Sequence, residues 1–459
     1  RFGRASGSLR QLLRVMRAAL SIRPLLGAVL FAAPLLATAQ PEVPVRSLQE
    51  CIDLALAYDR RVRTADIDVR MAAARADEQR ANLLPKVRGE ADLRHYADLP
   101  YQLLPASFFG GPEGVYREIQ FGTPDNIALN VQAQLPLVDV GSWEGIHVAR
   151  EAERLAGIQR ERSREEVVLE LSNAYYNAQV LQARRSFLDS NLLNTEAMLR
   201  NVELLHAQLL ARGTDVDRLR LQRDQLRTQR ERVEAQYEQV LDLLRLMMGL
   251  PSDAPLATEP ASAPVPQAPA TAKATPDLRL AEQSVLLRQA EIRLLKRSRL
   301  PSLHGYGLYG STGFGPIGTE GRYDLYPVSY FGATLQMPLF GGTVISQKVR
   351  HKELELERTG VQRDAVADRE GLERRRALRD ETLALRTLTD AQAQLALAER
   401  IRRSTLLQHA EGLATLTDLV LADQAVRDGQ QLYIDALVQL RKAQLELARL
   451  NGTLLNERP

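Results

Sequence analysis

The side chains that could do chemistry are few and scattered. Six histidines (His95, His147, His206, His304, His351, His409) stand at no metal-ligand spacing to each other or to the single cysteine, Cys51. One cysteine cannot close an internal disulfide, and Cys51 reads as a small buried hydrophobe. The run Arg374-Arg375-Arg376 might suggest an anion site, but Glu370, Glu373, Asp380 and Glu381 surround it, so it reads as the solvated face of a helix. No phosphate-binding loop, glycine-rich dinucleotide fingerprint or serine elbow occurs. The sequence therefore predicts no enzyme, no catalytic residue, no cofactor and no metal.

What remains is architecture. Aromatics are only 5% of 459 residues, and Ala, Leu, Arg, Glu and Gln abound, which favours long helices over a compact α/β core. Arginines, an apolar run from Leu25 to Leu36 and then Ala37-Thr38-Ala39 give the order of an export signal over residues 1–39, with Met16 a candidate start. Six of the 60 basic residues and no acidic one fall in that segment. The remainder carries 54 basic against 57 acidic residues, a net −3, which argues against a nucleic-acid partner.

The chain reads as a tandem duplication. Val62, Ala65, Val69, Ala74, Leu84, Pro85 and Gly89 recur at one constant offset as Leu278, Ala281, Val285, Ala290, Leu300, Pro301 and Gly305. Gln134 to Leu137 matches Gln336 to Leu339, and Gly213 pairs with Gly412. Residues 40–250 and 277–459 form the two repeats, joined by a Pro/Ala-rich linker over 251–276.

Within each repeat the periodicity predicts an opening helix, two strands, a very long helix, a break and a return helix. Ser47 and Glu50 make a capping box that starts the first helix at Leu48, and Pro85 and Pro301 end the opening helices. Strict alternation predicts strands near 86–96 and 126–137, then near 302–310 and 329–339. Long segments between them, His95 to Asn126 and Ser311 to Ser329, read as extracellular loops. Strands of about ten residues suit a tilted membrane strand. Tyr306, Tyr309, Tyr326 and Tyr330, with Tyr96 and Tyr323, cluster near strand ends as an interfacial girdle would, and Trp143 reads as a further anchor in outer-membrane lipid. The stretch from Ser142 to Arg212 has no proline, so one helix could extend about 100 Å. Val167, Leu171, Ala174, Ala178, Leu181, Leu188, Leu192 and Leu199 give it a coiled-coil seam.

Strands in lipid must close into a barrel, since each unpaired backbone group there costs several kcal/mol. Four strands per chain cannot close alone, so the pore must be shared; three chains and twelve strands are the simplest solution with an open lumen.

These features resemble the TolC family of outer-membrane efflux proteins. The resemblance rests on Ser47 to Leu56 at the start, Leu84-Pro85 and Leu300-Pro301 before strands, Pro338 to Gly342, Ala174-Tyr175-Tyr176, Gly412 to Ala422 and the Gly-Leu-Pro ending at Pro251. It implies a mainly α fold with membrane β: a homotrimeric twelve-stranded barrel in the outer membrane above an α-helical barrel in the periplasm of a Gram-negative cell. It also implies docking on a periplasmic adaptor and an inner-membrane pump, for efflux or type I secretion. The family's helical tip, closed by coiled helices and a ring of aspartates, matches Gly412 to Ala422 and puts Asp418 in the first aspartate position. Leu421 stands where some relatives carry a second aspartate. In the first repeat Gly213 and Asp217 are the tip candidates, although aligning the glycines sets Leu219 opposite Asp418. The competing reading is a periplasmic coiled-coil scaffold or adaptor without a pore.

Overall fold

The computed structural model describes residues 44–261, 273–315 and 324–455. The expected export signal (1–39), the middle of the linker and Tyr323 lie outside the described residues.

The chain opens with β1 (Val45–Arg46), α1 (Leu48–Tyr58) and α2 (Arg60–Ala81). Ser47 caps α1 through Glu50 N–H while the Glu50 carboxylate accepts from Ser47 N–H, the reciprocal box expected there. Asp59 separates the two helices, ending α1 and accepting from Arg61 N–H at 2.7 Å to start α2. Beyond Pro85 come β2 (Lys86–His95), a small hairpin of β3 (Tyr101–Pro105) and β4 (Tyr116–Gln120), and β5 (Asp125–Val138). Then follow α3 (Val140–Ala207), α4 (Gly213–Met247) and β6 (Ala257–Thr258). The second repeat runs through α5 (Pro276–Arg297), β7 (Ser302–Phe314), β8 (Asp324–Gln336), α6 (Val344–Ala410) and α7 (Leu416–Leu450). Helix, two long strands, long helix and 35-residue return helix thus occur twice.

Two expectations change in the loops. The segment between β2 and β5 is not all loop: β3 and β4 pair within it. The loop expected over 311–329 gives way at both ends, because β7 continues to Phe314 and β8 already begins at Asp324. Gly305, Gly307 and Gly313 stand at the alternate positions where apolar side chains would mark β7, and they hide its length in the sequence. β8 stops at Gln336, short of Leu339, because Pro338 has no N–H to donate to the ladder.

The four long strands form one antiparallel sheet in the order β2-β5-β7-β8, with β2 and β8 at the edges. Beyond Pro136 the pairing of β5 with β7 slips by one residue at a bulge, where proline again removes a donor. Among the described residues no helix is long and apolar enough to cross a membrane.

α3 and α6 have 68 and 67 residues, about 100 Å each. Their return helices lie against them, and the main core gathers Val167, Leu171, Tyr175, Leu181 and Leu188 of α3 with Val233, Leu241 and Leu244 of α4 and Cys51 of α1. Burial pushes the Cys51 thiol up to about 11, consistent with its packing role. Gly429 lets α7 pack closely on α6: a Cβ there would come within 3.3 Å of Leu395 Cα.

A belt crosses the helices at their middle. Tyr175 is buried; its hydroxyl donates to the Arg46 carbonyl (2.8 Å) and accepts from Glu259 N–H (3.2 Å), pinning the parallel β1–β6 pair onto α3. Gln179 adds a bond to the Glu259 carbonyl. Tyr175→Phe removes both hydrogen bonds of the Tyr175 hydroxyl and should lower unfolding stability by about 1–3 kcal/mol, read as a drop in the denaturant midpoint.

About three turns before Tyr175, Glu165 is buried on α3. Burial raises its carboxyl to about 7, with Arg449 opposing and Asp277, Glu166 and Glu446 adding to the rise. The folded chain therefore holds a proton that the unfolded chain, titrating near 4.5, has released, so stability declines as pH rises from about 4.5 to about 7. Glu165→Gln should flatten that slope in denaturation curves taken across this range.

Candidate gate at the helical tips

Each long helix reverses into its return helix through a short turn, and the two turns are built alike. In the second repeat Gly412 takes φ 74°, its N–H bonds to the His409 carbonyl, and the His409 ring donates from Nδ1 to the Ala414 carbonyl at 2.9 Å. In the first repeat Leu209 takes φ 65°, bonds to the His206 carbonyl, and the His206 ring reaches the Ala211 carbonyl at 2.9 Å. The structural partner of Gly412 is therefore Leu209, not Gly213, which begins α4. Pairing the two glycines displaced the alignment by four residues. The left-handed conformation costs a leucine about 1 kcal/mol, and Leu209, 91% exposed, meets nothing that forbids it. The corrected register sets Asp215 opposite Asp418, replacing both Leu219 and Asp217 in that comparison.

Asp418 lies in the first turn of α7, exposed, as the reciprocal member of a capping box with Thr415. Its carboxylate accepts from the Thr415 hydroxyl (2.6 Å) and N–H (2.9 Å), and these bonds hold it below the usual carboxylate value. Capping and gating are compatible, because a cap fixes the carboxylate at the turn. Asp217 is exposed on α4, 3.7 Å from Arg220. Leu209, Leu210 and Leu413 form an apolar, exposed tip around these groups. Behind it Leu199, Val202, Val216 and Leu219 of the first repeat pack with Leu416 and Val420 of α7, joining the two hairpins.

Sequence periodicity missed a polar cluster one to two turns deeper. Asp423 of α7 is 2% exposed and bonds Arg427 on the next turn, with Arg402 of α6 at 3.9 Å. Gln222 of α4 turns its carboxamide oxygen to Arg427 Nη1 at 2.7 Å. Farther along, Asn191 of α3 donates to Gln430 of α7 at 2.8 Å, both buried. Four helices from the two repeats thus meet at polar contacts, hydrogen bonds from α3, α4 and α7 and an ion pair from α6. The only sequence signal was polar residues at seam positions, which charge patterning alone assigns to a wet face. Among the described residues no group of three or more metal-ligating side chains assembles here or elsewhere.

Away from the tip, the other expected site residues separate. Trp143 lies in the first turn of α3 just after β5, half exposed. Tyr309 lies on one face of the sheet, while Tyr306, Tyr326 and Tyr330 share the opposite face with Lys86, Arg88, Glu90, Asp92 and Arg94.

Removing the buried carboxylate should loosen the junction between the hairpins. Asp423→Ala leaves two guanidinium groups uncompensated, a loss of roughly 3 kcal/mol, so amide exchange over the first four turns of α7 should accelerate about 100-fold. Asp423→Asn, which keeps a hydrogen bond, should fall between. Unchanged exchange would show that the cluster does not hold the tip.

Comparison with known proteins now bears on this arrangement. Residues 51–250 match the outer membrane efflux protein family. No curated protein sequence matches the chain. Among solved structures, a membrane protein from Pseudomonas aeruginosa superimposes with a TM-score of 0.71 at 19% identity, covering 88% of this chain and 90% of that one. The outer membrane protein VceC from Vibrio cholerae gives 0.68 at 15% identity, covering 88% and 96%. The open state of the MtrE outer membrane channel from Neisseria gonorrhoeae gives 0.71 at 17% identity, covering 88% of each. The first repeat is thus similar in sequence to the outer membrane efflux protein family, and the two repeats together have the fold of solved outer-membrane channels.

Proposed function

We propose that the protein is the outer-membrane channel subunit of a tripartite efflux or type I secretion assembly, a passive duct that works as a homotrimer and opens at its periplasmic helical tips. The observation that carries this reading is the four-stranded sheet with one charged face, one apolar face and two unpaired edges, standing at the end of helices about 100 Å long. In lipid those edges must pair, and three copies supply twelve strands. The strands lie in the outer membrane and the helices in the periplasm. The family whose sequence the first repeat resembles is one of efflux ducts. A scaffold without a pore would have no use for a sheet polar on one face and apolar on the other.

Opening requires the α6–α7 hairpin to move against α3–α4, so Asp423, Arg427, Gln222, Asn191 and Gln430 would exchange partners as the tip dilates. Docking of a periplasmic adaptor and an inner-membrane pump would supply the free energy. Asp418 and the turn at Gly412 would stand at the constriction, with Asp215 beside them and Asp217 and Gly213 a turn away. Three copies of an aspartate around an axis repel one another and attract cations. Residues 1–39 would be removed on export, 40–250 and 277–459 would be the two repeats, and 251–276 their linker. Tyr309 and Trp143 would anchor the lipid boundary.

Single-channel recording of the purified protein in a planar bilayer tests the reading. Discrete, small, cation-selective openings are expected, and Asp418→Ala should enlarge them or relieve block by divalent cations. Unchanged openings would remove Asp418 from the gate, and a well-folded oligomer that never inserts would overturn the channel.

A further inference from the structure

The register of the sheet fixes which side chains share a face. Across the four strands Lys86, Gln134, Tyr306 and Gly332 stand in one row; Arg88, Gln132, Leu308 and Tyr330 in the next; Asp92, Ala128, Thr312 and Tyr326 in another; and Arg94, Asn126, Phe314 and Asp324 at the end. The opposite face carries Val87, Ala133, Gly307 and Phe331, then Leu93, Ile127, Gly313 and Leu325. Five charged residues of β2 and the amides of β5 cannot face hydrocarbon, so their face lines the lumen, and Phe331, 94% exposed, faces lipid. Tyr306, Tyr326, Tyr330 and Phe314 are on the charged face. They are therefore lumen residues rather than part of the interfacial girdle that their strand-end positions suggested.

These rings are organised. Tyr306 lies across Gly332, where a Cβ would come 2.7 Å from its hydroxyl oxygen, so the glycine leaves room for the ring against the wall. Tyr330 meets Tyr306 edge to face at 6.2 Å and 73°, and Phe314 meets Tyr326 at 6.1 Å. No lysine or arginine occurs in β7 or β8, and Asp324 stands next to Phe314 in the same row. The wall is thus aromatic, hydroxylated and locally acidic, between a strip of amides on β5 and, in the assembled ring, the charged strip of the next copy.

Resting on the channel reading above, we propose that the β7–β8 wall of the lumen is a contact site for planar aromatic cations, held by ring stacking and by attraction of the positive charge to the tyrosine faces and Asp324. Three such sites surround the axis. They act on solutes in transit, retaining aromatic cations over aliphatic ones of equal charge.

The test uses the full-length trimer in lipid vesicles and has two arms. In the first, Tyr330→Cys and Phe331→Cys are exposed to a charged, membrane-impermeant thiol reagent; Cys51 is buried and gives little background. Labelling at 330 and not at 331 is expected. The reverse pattern would overturn the lumen assignment alone, and equal labelling of both would overturn the membrane barrel itself. In the second arm, Tyr330→Trp reports binding of the N-methylquinolinium cation by fluorescence quenching, with wild type, which contains only Trp143, as the background. Saturable quenching is expected, weakened about threefold or more by Tyr306→Ser and kept by Tyr306→Phe. Linear quenching no different from that of free tryptophan, or equal loss in both Tyr306 variants, would overturn the site.

Discussion

Everything in this fold depends on the backbone groups along the outer sides of β2 and β8. Among the described residues they have no strand partner, and in hydrocarbon a backbone group cannot go without one. In the proposed trimer the sheet is an arc completed by its neighbours, and charge chooses the interior: Lys86, Arg88, Glu90, Asp92 and Arg94 face water. The strands arrive in pairs separated by the whole α3–α4 hairpin, yet β5 and β7 become neighbours in the sheet. The two repeats are consequently tied together through the sheet as well as along their coiled coils.

Much of this was legible in the sequence because it rests on period. The alternation from Lys86 onward lies in β2, and the proline-free stretch from Ser142 is α3 apart from its last turn. Legibility failed where glycine or long-range geometry took over. β7 has glycine at positions 305, 307 and 313 of its apolar face, so that face all but vanishes from the sequence although its backbone pairs continuously. Position near a strand end suggests a lipid girdle for the tyrosines, whereas the face each one takes depends on register with β2, a strand more than 200 residues away.

The tip shows the same limit in another form. Glycine is a good marker of a left-handed turn, and Gly412 is one, but Leu209 does the same work without the marker. The histidines at 206 and 409, each closing its turn from the ring, kept the register that the glycines had lost. The buried cluster around Asp423 was invisible for a different reason. A polar residue in a seam reads as exposed until the partner helices are known, and here the partners come from α4 and α6.

Polar contacts across a helical seam differ from apolar ones in being exchangeable: water or another side chain can replace them as they part. The belt at Tyr175 holds α3 about 48 Å from its end at Ala207. A helix of that length is a lever. Tilting it by about five degrees about the belt would carry its end through roughly 4 Å. Wide displacement at one end thus needs only small rearrangement at the fulcrum, and the body of the helix can stay intact while the passage at its end changes width.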